Sequence, residues 1–205
     1  MLSVTMWKRI FLNPKLDFFI IKTMNYIIYD LEATCWETWD LNNKTQEIIE
    51  IGAIKVNDYG EATERFVQFI KPKLHPTLSV FCKKLTSIQQ QDVDRGLPFE
   101  RAADNFREFC GCFDDEEYIL MSWGNFDKNA LIKDCKLHGL DYDWVAPHVN
   151  MKEQYQKICH LQRPKGLKNA VESEGFTWEG AHHRGIDDAY NLAKLFVLFR
   201  EEWQY

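Results

Sequence analysis

A mixed α/β fold built on a central sheet is what this sequence predicts, and three observations carry the prediction. Residues 26–34 (YIIYDLEAT) and 47–56 (EIIEIGAIKV) are short, nearly continuous apolar runs rich in β-branched and aromatic residues, the pattern of strands covered on both faces. The turn-forming stretch Asn57, Asp58, Tyr59 and Gly60 leads directly into a third run, ERFVQFI, so the first three strands form an antiparallel meander. Beyond residue 97 the period changes, and helical segments alternate with strand.

The elements follow in order. Residues 1–24 read as an N-terminal extension ahead of a domain spanning 25–205. Lys8 and Arg9 precede IFL and a later FFII, but Asn13, Pro14, Lys15 and Asp17 interrupt the apolar run, so no export signal is expected. No run reaches the roughly 20 apolar residues of a membrane span, and a cytoplasmic location is expected. The stretch 71–96 has two prolines and no clear period; it reads as a loop with short helices, anchored by FC and LTSI. Phe99, Ala102, Ala103, Phe106 and Phe109 recur at helical spacing after Pro98, predicting a helix over 98–110. Tyr118–Ser122 reads as a short strand, and 129–140 as a helix ended by Gly139. MKEQYQKICHLQ and GLKNAVESEGF read as two more helices, the second closed by Gly175. A last helix presents Ala189, Leu192, Ala193, Phe196, Phe199 and Trp203 on one face.

Composition narrows the class. The chain of 205 residues is long enough for one well-packed domain, and 45% hydrophobic with 14% aromatic content is that of a folded protein. A net charge of -6 argues against a protein that coats nucleic acid through bulk positive charge, although acids that hold metal would no longer count against a phosphate substrate. The six cysteines are scattered, and CGC lacks the spacing of a zinc knuckle, so they read as reduced core thiols.

Four acids stand out against this frame. Asp30 and Glu32 lie in the first apolar run, where a bare charge costs several kcal/mol unless it is compensated. Residues i and i+2 of a strand share a face, so the two carboxylates project together, as a metal or acid/base site or as plain acids at a strand end. Asp127, in SWGNFD, falls where a strand gives way to a helix. Asp188, in HHRGIDDA, falls in the first turn of the last helix. Carboxylates at such positions are favoured by the helix dipole, whether or not they do chemistry.

Taken together, DLEAT, GNFD and H-x-x-x-x-D resemble the three motifs of the DEDDh 3′-to-5′ exonucleases, which share a ribonuclease H-like fold. EIIEIGAIKV, HPTLSVFCKKLTSIQQQDVDRGLPF, WGNFDKNAL, GLKNAV and HRGIDDAYNLAKL extend the likeness to the subgroup that includes the histone-mRNA 3′-end exonuclease and the sporulation-inhibitor KapD proteins. The resemblance implies a three-layer fold with a central mixed sheet flanked by helices. It implies that Asp30, Glu32, Asp127 and Asp188 hold two ions, Mg²⁺ or Mn²⁺, and that His183 is the general base. The five-residue interval selects His183 over His182 and Asp188 over Asp187, leaving His182 and Asp187 as solvated or loop-fixing neighbours.

The implied activity is hydrolysis of RNA or single-stranded DNA from a free 3′ end to nucleoside 5′-monophosphates. Ala33 and Thr34 are expected near the terminal nucleotide. Trp36 or Trp123 is expected to stack on a base, with core packing as the alternative for each. Arg163, Lys165, Lys168 and Arg184 form a basic cluster that either guides the phosphate chain or is an ordinary solvated face. Two further readings stand beside the exonuclease: a regulatory protein-binding module of the sporulation-inhibitor type, acting through a protein partner, and hydrolysis of small phosphodiesters.

Overall fold

The computed structural model describes residues 24–37, 44–114 and 117–205; the N-terminal extension expected over residues 1–24 lies outside them but for its last residue. A five-stranded sheet is ordered β3-β2-β1-β4-β5, with β1 spanning Met24–Ala33, β2 Ile48–Val56, β3 Ala62–Phe69, β4 Glu117–Ser122 and β5 His148–Asn150. β1 pairs antiparallel with β2, and β2 with β3. β4 runs parallel to β1, and β5 to β4. The meander and the central place of the first strand are those the sequence predicts.

Helices cover both faces. On one side α3 (Phe99–Cys110) and α4 (Phe126–Leu137) meet the odd-numbered residues of β1: Ile27, Tyr29 and Leu31 pack with Phe99, Phe106, Ala130 and Leu131. On the other, α5 (Met151–Ile158), α6 (Leu167–Ser173) and α7 (Gly185–Leu198) join Ile28, Ile119 and Met121 through Tyr155, Val171, Leu192 and Phe196. Two short helices, α1 (Val80–Thr86) and α2 (Gln90–Asp94), close over the end of β2 around Ile49, Leu78, Cys82 and Ile88. This three-layer arrangement is the ribonuclease H-like fold.

Three differences from the sequence reading have physical reasons. α4 begins at Phe126, three residues before the expected start, because its first turn carries an exposed Phe126 and a buried Asp127, the reverse of the apolar pattern. The last helix ends at Leu198. Trp203 is buried beyond it, its indole N–H donating to the Phe196 carbonyl at 3.0 Å, so its burial comes from a returning tail. β5, only three residues long, was not expected at all; it is too short for any periodicity to register. All six cysteines are free thiols. Among the described residues no helix is long and apolar enough to cross a membrane.

Candidate active site

The alternation that buries Ile28 against α7 carries on into Asp30 and Glu32, so both carboxylates face that helix while Leu31 faces the opposite core. The N-terminus of α7 comes down directly upon them. Gly52, the partner of Asp30 across β2, makes this possible: a Cβ there would lie 2.1 Å from the Ile186 nitrogen. A Cβ on Gly185 would likewise meet the Asp30 carbonyl oxygen at 2.9 Å. Backbone thus lies against backbone, and Asp188, in the first turn of α7, joins the strand acids. Ligand oxygens of Asp30, Glu32 and Asp188 all lie within 4.8 Å of one another. Asp127 arrives from the first turn of α4, where its Oδ1 accepts the Leu31 N–H at 3.2 Å.

The electrostatics of this cluster are those of charge without compensation. Burial, followed by Asp127, Asp188, Glu32 and Glu50, holds the Asp30 carboxyl well above the carboxylate range. Burial and then Asp188 push Glu32 up to about 9. Burial raises Asp127 to about 6 against the opposing Leu31 N–H, and raises Asp188 to about 7 against the backbone N–H of His183. Oδ1 of Asp188 is buried and has no hydrogen-bond partner. Four carboxylates in this state fit divalent cations: oxygen donors that make no ion pair among the described residues, in an enclosure where a cation restores their ionised form.

The loop before α7 holds the paired histidines. His183 has φ 63° and is half-buried, and burial lowers its pKa. His182 is exposed; its ring centroid lies 4.0 Å from that of His183 and 5.1 Å from that of Trp178. Asp187 turns away from the cluster, its Oδ2 accepting the Ala181 N–H at 2.9 Å and its carbonyl the Asn191 side-chain amide at 2.8 Å. It fixes the loop.

The residues expected to touch substrate divide. Ala33 and Thr34 are buried at the end of β1, where the Thr34 hydroxyl accepts the Glu47 N–H at 2.9 Å. Trp36 is buried edge-on to His75, with the Lys44 ammonium 5.1 Å from its ring centroid. Trp123 packs on Tyr155 and donates to the Lys165 carbonyl at 3.2 Å, the geometry of core packing. Arg184 is committed inward: its Nε and Nη2 bond the two oxygens of Glu50 at 3.2 and 3.0 Å.

Glu50 escaped the sequence reading. It is fully buried, sits opposite Glu32 across the β1–β2 pair, and also accepts the Gly185 N–H at 3.1 Å. Its signal was available: a glutamate inside EIIEIG is a charge in a buried strand, which demands a partner. Also unforeseen is a hollow of about 610 Å³ lined by Glu37, Val80, Phe81, Lys84 and Leu85. It lies beside the segment that follows β1, because the Ser79 hydroxyl ties α1 to the Cys35 carbonyl at 2.6 Å.

Residues 27–196 match the model of a family described as exonuclease, of RNase T type. Among curated proteins, the chain is 32% identical over 190 residues to ERI1 exoribonuclease 2 of Xenopus laevis, an alignment covering 82% of this chain and 27% of that protein. It is 30% identical over 184 residues to the probable 3′-5′ exonuclease KapD of Bacillus subtilis, covering 89% of this chain and 88% of that one. The chain thus spans about a quarter of the Xenopus relative and most of the bacterial one. Among solved structures, the nuclease domain of 3′hExo bound to rAMP, described as a DEDDh family member, superposes with a TM-score of 0.78 at 27% identity, covering 88% of this chain and 92% of that one.

Proposed function

This chain belongs to the RNase T exonuclease family, and on that premise we propose that it is a metal-dependent 3′-to-5′ exonuclease acting on RNA or single-stranded DNA. The observation that carries the reading is the convergence of Asp30, Glu32 and Asp188 within 4.8 Å, with Asp127 beside them, in an enclosure that leaves their charge uncompensated. The unit responsible is residues 25–205, with 1–24 as an extension. Six unbridged cysteines support a cytoplasmic setting.

Asp30, Glu32, Asp127 and Asp188 would hold two divalent ions, and an all-oxygen donor set suits Mg²⁺ or Mn²⁺. When bound, such ions neutralise the scissile phosphate, favour ionisation of the attacking water and stabilise the departing 3′ oxygen. The chain's own residues do the rest. His183, neutral at pH 7, accepts the water's proton on a ring nitrogen as the new P–O bond forms; the P–O3′ bond breaks and a nucleoside 5′-monophosphate leaves. His183 stands two residues before α7 begins, with a left-handed backbone. Ala33 and Thr34 border the terminal nucleotide, and the hollow lined by Val80, Phe81 and Leu85 gives its base an apolar seat. Arg184 acts by holding Glu50, and through it the start of α7.

End-labelled RNA and DNA strands test the proposal directly. Purified protein with Mg²⁺ or Mn²⁺ is expected to yield a ladder shortening from the 3′ end, and chelator is expected to stop it. His183→Ala should slow turnover by about 10²- to 10⁴-fold at saturating metal while substrate affinity holds, and His182→Ala should change it little. Equal losses in the two variants would remove His183 from the role of base.

A further inference from the structure

We propose that His182, His183 and Asp188 form a binding site for a transition-metal ion of the zinc class, distinct in its donors from the all-carboxylate cluster. A nitrogen from each imidazole and an oxygen of Asp188 all lie within 4.8 Å of one another. Four-coordinate zinc, with bonds of about 2.0–2.1 Å, needs its ligands about 3.4 Å apart. Side-chain rotation in the loop before α7 has therefore only a short distance to cover. Two imidazoles and one carboxylate are a borderline-soft set that favours Zn²⁺ over Mg²⁺, whereas Asp30, Glu32 and Asp188 offer oxygen alone. The loop thus presents a second coordination chemistry to the same pocket.

A second observation points to a ligand at the carboxylate that both ion sites would share. Asp188 is only 6% exposed, and its Oδ1 has no hydrogen-bond partner, so the loop surrounds an acceptor that the fold does not satisfy. The histidine rings are arranged by packing, His182 against the Trp178 edge at 5.1 Å and against His183 at 4.0 Å. His182 has no part in the hydrolysis proposed above.

The functional consequence rests on the exonuclease reading. An ion held by this trio coordinates His183, the base of the reaction, and it engages Asp188, which the catalytic ions also need. Zn²⁺ is then an inhibitor of Mg²⁺-supported turnover, and the two sites compete through one carboxylate. Increasing Mg²⁺ should weaken apparent zinc affinity without abolishing it.

The test measures zinc binding and turnover separately on the full chain. Calorimetric titration of Zn²⁺ into the wild-type protein, His182→Ala and His182→Gln, with and without Mg²⁺, reports the site whether or not the protein is a nuclease. We expect one zinc per chain in the wild type, affinity lowered about 10- to 100-fold in both variants, and a matching rise in the zinc concentration that halves Mg²⁺-supported turnover. Co²⁺ in place of Zn²⁺ should give the visible absorption of a tetrahedral nitrogen-liganded ion in the wild type only. Equal zinc affinity in wild type and both variants would overturn the proposal and assign zinc to the carboxylates. His182-dependent zinc binding in a protein without turnover would uphold the site and sink the exonuclease reading instead.

Discussion

Two groups of carboxylates meet around the β1–β2 pair in this fold, all buried but for a partly exposed Asp30, and they are opposites. Glu47 and Glu50 are fully supplied by the chain. Glu47 receives the backbone N–H groups of Lys73, Leu74 and His75 at 2.6 to 2.9 Å, and Glu50 receives the Arg184 fork and the Gly185 N–H. Asp30, Glu32, Asp127 and Asp188 receive little from the protein, and each titrates above its ordinary range. Burial alone does not separate structure from chemistry here, since both groups are enclosed. What separates them is whether the compensating charge comes from the chain or has to come from outside.

The largest way to sharpen that contrast is to neutralise a carboxylate of the second group. Asp30→Asn or Glu32→Gln should lower metal-dependent turnover by about 10³-fold or more, the several kcal/mol that a bound ion contributes in the transition state. The same variants should melt no lower than wild type in chelator, since a repulsive charge has been removed. A drop in metal-free melting temperature would make these acids part of the framework and break the contrast.

The first group predicts the reverse. Glu50→Ala leaves the Arg184 guanidinium and the Gly185 N–H without their acceptor, and should destabilise the protein by about 2–4 kcal/mol in denaturant titrations, toward the lower end because Arg184 retains some exposure. Stability equal to wild type would show that water replaces the carboxylate at no cost.

The smallest effect is one of pH. Groups whose pKa is raised by folding bind protons more tightly in the folded state, so their contribution to stability is complete below the unfolded value near 4 and is lost as pH rises through the folded value. For Asp127, Asp188 and Glu32 those folded values are about 6, 7 and 9. In chelator the melting temperature should therefore fall by several degrees between about pH 5 and 9, and saturating Mg²⁺ should flatten the slope. A flat chelator profile would mean that the cluster is compensated from within.

Much of this was legible in the sequence, and what was not has two causes. Strand alternation was enough to put Asp30 and Glu32 on one face, because β1 is regular up to the shift between Glu32 and Ala33. The early start of α4 was hidden by Asp127 itself, whose burial in a first turn inverts the pattern that marks a helix. The partners of Glu50 and Glu47 and the inward turn of Arg184 depend on contacts between segments more than twenty residues apart, which periodicity does not encode. Trp123 illustrates the same limit: a tryptophan beside a motif looks the same in sequence whether it meets a base or, as here, Tyr155.

The missing side chain at Gly52 has a thermodynamic consequence for ion binding. With 2.1 Å between a would-be Cβ and the Ile186 nitrogen, the separation of Asp30 from Asp188 is fixed by main-chain contact and not by loop conformation. An arriving cation therefore has only side chains to adjust and no backbone to gather, and its affinity carries a smaller deduction for ordering the protein. Most of the work of bringing like charges together is done once, when the chain folds.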